Sequence, residues 1–317
     1  MPSSPPASAP APARRHRIAR HALVVQRRVE RLDANVRALL WSMLAGVQFV
    51  VLNSIMRGLS LVLDIFETQF LRYLMGFAVM LPLMARAGFG AYKPRNVLGQ
   101  FTRGGVHTVG LVLWFIALPH ITIADVTAIG FIGPIFIMLG AVLVFKEPMR
   151  WARWVAAALG FGGVLIVVAP KLSGNAGIYT LVMLCSSPVY AASYLMTKAL
   201  SRYERAEVIV AWQAISVTLL SLPLALLHWQ APSVPQLLLF VLCGMLGSAG
   251  HYCLTRSYAA ADISASQSVK FLDLVWATVI GWLAFGDAPS RSTLIGGVVI
   301  CGSTLWIARR EARGPRA

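Results

Sequence analysis

Acidic side chains are scarce in this chain. Twelve Asp and Glu stand against 28 Lys and Arg, and charged residues of both signs make up only 13% of the sequence. Soluble globular proteins carry about 25%, so a water-covered surface over most of the chain is excluded. Several chemistries lack their motifs too. No Gly-x-x-x-x-Gly-Lys or Gly-x-Gly-x-x-Gly phosphate loop occurs, which argues against an ATP drive. No His-Glu-x-x-His helix, Ser/His arrangement or paired Asp marks a membrane hydrolase. The chain therefore reads as a non-enzyme with no catalytic residue, cofactor or metal. Its four cysteines, Cys185, Cys243, Cys253 and Cys301, lie in apolar runs without metal-ligand spacing and read as small buried hydrophobes.

What is present is apolar length. Hydrophobic residues make up 57% of the chain, and the mean hydropathy is +0.70. Val126 to Phe145 is an uncharged run of about 20 residues, long enough at about 1.5 Å per residue to cross the ~30 Å hydrocarbon core of a bilayer. A polar hinge, Lys146-Glu147-Pro148, separates it from a second run, Trp154 to Ala169, which is rich in the small residues that let membrane helices approach closely. The pair predicts a transmembrane hairpin.

That hairpin recurs. Gly130 to Pro148 aligns without a gap on Lys270 to Ala288, pairing Phe131 with Phe271, Phe145 with Phe285 and Glu147 with Asp287. The offset is about 140 residues, and a glycine-rich span follows each copy. Hydropathy then predicts ten spans, near 39–56, 68–84, 104–119, 123–145, 151–169, 177–197, 208–227, 235–253, 264–285 and 292–308. The fold class is all-α: an integral membrane protein with ten transmembrane helices. Five spans per half is odd, so two homologous halves must lie in opposite orientations as inverted repeats. The expected organisation is a disordered basic cytoplasmic tail over 1–37, repeats over 38–170 and 171–308, and a second basic tail over 309–317. No apolar h-region follows Met1, so no cleavable signal peptide is expected.

The net charge of +16 suggests topology rather than nucleic-acid binding, because the basic residues fall between apolar runs. With the N-terminus cytoplasmic, 23 basic residues lie inside and three, Arg57, Lys171 and Arg291, outside. The expected location is the bacterial inner membrane, multi-pass, with both termini cytoplasmic. The expected partners are the lipid bilayer and a small-molecule substrate, with no nucleic acid; monomer and homodimer both stay open.

The residues also carry a family likeness. Phe66-Glu67, Phe70-Leu-Arg72, Thr127-Ala128, Pro134 and Phe145-Lys-Glu147-Pro148 in the first half, with Tyr258-Ala-Ala-Ala-Asp262 and Phe285-Gly-Asp287 in the second, resemble the EamA-like ten-helix group of the drug/metabolite transporter superfamily. Phe66-Glu67…Arg72 and Arg103-Gly104-Gly105 look like the S-adenosylmethionine-uptake branch; similar sequences export amino-acid-derived metallophores or move riboflavin. The likeness implies a secondary transporter of a small polar or zwitterionic metabolite working by alternating access. A non-transporting receptor or scaffold is the alternative of another class.

Polar residues inside apolar spans are the candidate substrate site, since a mid-membrane charge costs about 2.5–3.5 kcal/mol on insertion scales and is seldom idle. Lys270 and Asp273 are i, i+3 in span nine, with Gln267 and Trp276 extending their face. They read as a split site for a substrate carboxylate and amine, or as a self-neutralising pair. Arg72, with Glu67 before it, reads either as a snorkelling helix-end arginine or as an anion-binding group with an acidic companion. His107 with Trp114, and Tyr190 with Tyr194, share helix faces, and Asn53 in span one is equally glue or ligand. His251 closes span eight and reads as a satisfied core histidine or, as a lone membrane histidine, as a proton relay.

Overall fold

The computed structural model describes residues 32–121, 126, 129–130, 132–147, 151–168, 177–263, 266, 270–286 and 291–312. Among them all regular structure is helical and no strand occurs. The α-helices are α1 Ala34–Ser60, α2 Ile65–Ala87, α3 Val97–Ala117, α4 Ile132–Phe145, α5 Trp151–Val168, α6 Gly177–Leu200, α7 Ala206–Ala225, α8 Val234–Ala260, α9 Asp273–Phe285 and α10 Arg291–Ala312. Six segments are long and apolar enough to cross a membrane: α1, α2, α3 with the turn to His120, α6, α7 and α8. Large apolar side chains such as Leu143, Leu238, Leu283 and Val298 point outward. That is unfavourable in water but suits a surface solvated by lipid.

Short polar residues set the helix starts. Asp64 accepts hydrogen bonds from the Phe66 and Glu67 amides at 2.9 and 3.2 Å, satisfying donors that the first turn of α2 leaves free. Asn96 does the same for α3 through the Gly99 amide at 2.7 Å. This cap starts α3 at Val97, so the third span has 21 residues and is not the short one that hydropathy alone suggests. Span nine differs more: it is not α-helical throughout, because a 3₁₀ turn, Lys270–Leu272, leads into α9 at Asp273.

Packing runs largely between the first five helices and the last five. Helix α1 packs on α8 and α9, while α6 packs on α3 and α4; α2 lies against both α7 and α8, α3 against α7, and α5 against α10. The tightest approach is α2 on α8. A Cβ added at Gly244 would fall 2.6 Å from the Met75 carbonyl carbon and 2.7 Å from the Gly76 nitrogen. Backbone cannot swing aside as a flexible side chain can, so Gly244→Leu must pry the two helices apart. Overpacking costs about 1–3 kcal/mol in ordinary cores, and here the upper end is expected. Purified Gly244→Leu should melt well below wild type. Gly58→Ala, which meets nothing within 4 Å, should not.

Candidate functional site: a cation- and ring-lined cavity

A cavity of about 200 Å³ opens between these helices. Asn53 and Phe49 of α1, Arg72 and Tyr73 of α2, His107 and Trp114 of α3, Tyr190 and Tyr194 of α6, His251 of α8 and the Lys270–Asp273 pair all line it. The structure thus brings together Arg72, Lys270, Asp273, His107, Trp114, Tyr190, Tyr194 and Asn53 from the sequence candidates. Gln267 lies outside the described residues.

Arg72 is only 6% exposed, because α2 begins at Ile65 and places it two turns inside the helix. It does not snorkel to a surface. Its guanidinium stacks over the Tyr73 ring at 4.2 Å, and Gly247 leaves room for it, since a Cβ there would lie 3.2 Å from its Nη2. Its Nε and Nη1 take no hydrogen-bond partner among the described residues. A guanidinium at a cavity wall with donors still to be satisfied suits an anionic or carbonyl oxygen.

Lys270 Nζ stands 3.4 Å from Asp273 Oδ2 and 5.5 Å from the centre of the Phe49 ring. Asp273 reaches α1 where the side chain is smallest: a Cβ at Gly46 would sit 2.0 Å from its Oδ1. Across the same cavity, Gly130 and Gly133 line the wall where the first repeat has no charge.

Two candidates fall elsewhere. Glu67 does not line the cavity and makes no ion pair with Arg72. It is fully buried, and its Oε2 accepts a hydrogen bond from the Gln230 amide at 2.9 Å, tying α2 to the α7–α8 connection. Its place in the first turn of α2, under that connection, accounts for this. Trp276 is 38% exposed and lies off the cavity. The 3₁₀ turn keeps i and i+3 eclipsed, which holds Lys270 beside Asp273. The α-helical step from Asp273 to Trp276 falls about 60° short of a full turn.

Other wall residues are absent from the sequence candidates. Tyr73 and Phe49 look like ordinary span residues. His251, which reads as a core histidine near a span end, is on the cavity wall because α8 continues to Ala260. Aromatic and imidazole rings line much of the wall beside aliphatic side chains. Tyr190 and Tyr194 stack at 6.2 Å, and His107 meets Tyr190 at 5.2 Å and His251 at 5.5 Å, edge to face.

The EamA-like transporter family model matches residues 36–169 and again 177–309. The chain belongs to this family. Among similar EamA-like proteins, a riboflavin transporter of Rhizobium johnstonii is 34% identical over 280 residues, covering 87% of this chain and 92% of the relative. An S-adenosylmethionine uptake transporter of Rickettsia prowazekii is 26% identical, with 89% and 96% covered. A pseudopaline exporter of Pseudomonas aeruginosa is 26% identical, with 88% and 99% covered. A solved crystal structure shares the fold at a TM-score of 0.69 and 19% identity, over 86% of this chain and 98% of that one. This EamA-like protein is therefore a multi-pass membrane transporter of a small molecule, not an enzyme.

Proposed function

We propose that this transporter moves a small metabolite carrying a flat ring and a polar or zwitterionic arm across the bacterial inner membrane by alternating access. The observation that carries the reading is the cavity itself, where the unsatisfied Arg72 guanidinium and the Lys270–Asp273 pair are set among stacked rings. Charges supply partners for groups that give up water, and rings supply a face for a planar π system. The ring-rich wall also favours riboflavin as a second reading. S-adenosylmethionine, with its purine and amino-acid ends, would use both features.

The architecture in this proposal is ten transmembrane helices in two inverted repeats, 38–170 and 171–308. The packing supports it. Exchanging each helix with the one five places along turns α1·α8 into α6·α3, α1·α9 into α6·α4 and α2·α8 into α7·α3, and leaves α2·α7 and α5·α10 unchanged. The 3₁₀ turn that leads into α9, beside the cavity, suits a transporter site built at an irregular stretch of helix.

Two measurements test the reading. Proteoliposomes holding the purified chain should take up labelled riboflavin or S-adenosylmethionine, and absence of flux for both would remove this substrate class. Reporter fusions after Pro170 and His228 should read external, and fusions after Lys93, Arg205 and Ala317 internal; one firm reversal would sink the ten-span arrangement.

A further inference from the structure

The two cavity imidazoles are held in different ways. His107 has hydroxyl partners on both ring nitrogens, Tyr73 Oη at 2.9 Å from Nε2 and Ser193 Oγ at 3.1 Å from Nδ1. Hydroxyls donate or accept as needed, so these contacts leave the His107 tautomer unfixed. His251 instead meets an amide, with Gln213 Nε2 at 3.3 Å from its Nε2. The other end of that amide, Oε1, accepts from Nη2 of Arg103.

Arg103 has no exit from this arrangement. It is 1% exposed, and its Nη1 is spent on the Ile209 carbonyl at 3.4 Å. A guanidinium only donates. Gln213 must therefore turn its oxygen to Arg103, and its NH₂ must face His251. Nε2 of His251 then has to accept, which puts the ring hydrogen on Nδ1. That nitrogen takes no hydrogen bond from the protein among the described residues, while the ring lines the cavity.

We infer that Arg103 and Gln213 act as positioning residues that fix the tautomer of His251, so that its Nδ1–H is presented to the cavity as a donor. It would meet a carbonyl or carboxylate oxygen of the substrate. This last role rests on the cavity being the substrate site; the tautomer does not. Arg103 never touches the cavity in this scheme. From α3 it acts through one side chain, Gln213 of α7, on a ring carried by α8.

The test is nitrogen magnetic resonance on the full-length protein in lipid nanodiscs, with isotope-labelled histidine and the His251 signals identified by their loss in His251→Gln. In wild type at neutral pH, Nδ1 should carry the hydrogen and Nε2 should not. Arg103→Lys, which still only donates, should leave this unchanged. Gln213→Glu offers an acceptor to the ring, so Nε2 should gain a hydrogen. A wild-type signal with hydrogen on Nε2, or no gain on Nε2 in Gln213→Glu, would overturn the inference. Flux separates the substrate role. Gln213→Glu should lower riboflavin uptake about tenfold, the weight of one hydrogen bond, and uptake unchanged despite the altered tautomer would end that role. A wild type that moves neither riboflavin nor S-adenosylmethionine would instead undo the substrate reading of the cavity. The tautomer would still be decided by the resonances.

Discussion

Lys270→Met combined with Asp273→Leu should reach the membrane at least as well as wild type and transport nothing. Each single substitution should do worse in abundance than the pair together. The reason is charge balance. Lys270 and Asp273 face each other at 3.4 Å with little solvent access. Removing one strands the other, and an uncompensated buried charge costs about 3–5 kcal/mol. Removing both strands neither and also lifts the cost of placing charge in the membrane. A purely structural pair would then be dispensable, and flux in the double variant would return. The surroundings favour the other outcome. Gly130 and Gly133, which match Lys270 and Asp273 in the first repeat, line the same cavity without charge. Helix packing at this position has no need of a Lys or an Asp. The decisive experiment is a double-mutant cycle scored separately for membrane abundance and for riboflavin or S-adenosylmethionine flux. Near-normal flux in the double variant would leave Arg72 as the principal charged group of the site.

Arg72→Ala should insert normally and lose about 100-fold in uptake, the scale expected when a buried charge loses its partner group. Arg72→Lys should recover little of it. Lysine keeps the charge but presents a point ammonium in place of a planar fork, and its stacking on Tyr73 differs. The guanidinium has Nε and Nη1 without a hydrogen-bond partner among the described residues, and a substrate carboxylate drawn against it would supply one. Removing the side chain also removes a desolvated cation, so abundance and thermal stability should hold or rise. That combination, stable but inactive, distinguishes a ligand from a packing residue. Wild-type uptake by a well-expressed Arg72→Ala protein would show that the stacked guanidinium serves only the α2–α8 contact.

Glu67 provides the contrast. Sequence places it five residues before Arg72, and the two look like an ion pair. In the fold it binds the Gln230 amide and holds a connection in place. Its first-turn position puts it under the α7–α8 connection, outside the cavity lining.

The helical class, the internal repeat and the polar residues to suspect are legible in the residues alone. Each follows from a steep cost: a bilayer rejects unpaired backbone and isolated charge, so long uncharged runs and rare mid-span charges are legible without a structure. Arg72, Lys270 and Asp273 stand out on that ground, and all three line one cavity. How the helices face one another emerges from the packed fold and not from the residue spacing. In a soluble helix a polar stripe marks the outside, but a membrane helix is apolar toward lipid and toward its neighbours alike. Tyr73, Phe49 and the Arg103–Gln213–His251 chain therefore left no mark in the spacing. Trp276 lies off the cavity for a related reason: a face shared with Lys270 and Asp273 needs a continuous helix, and the 3₁₀ turn at Lys270–Leu272 changes the phase.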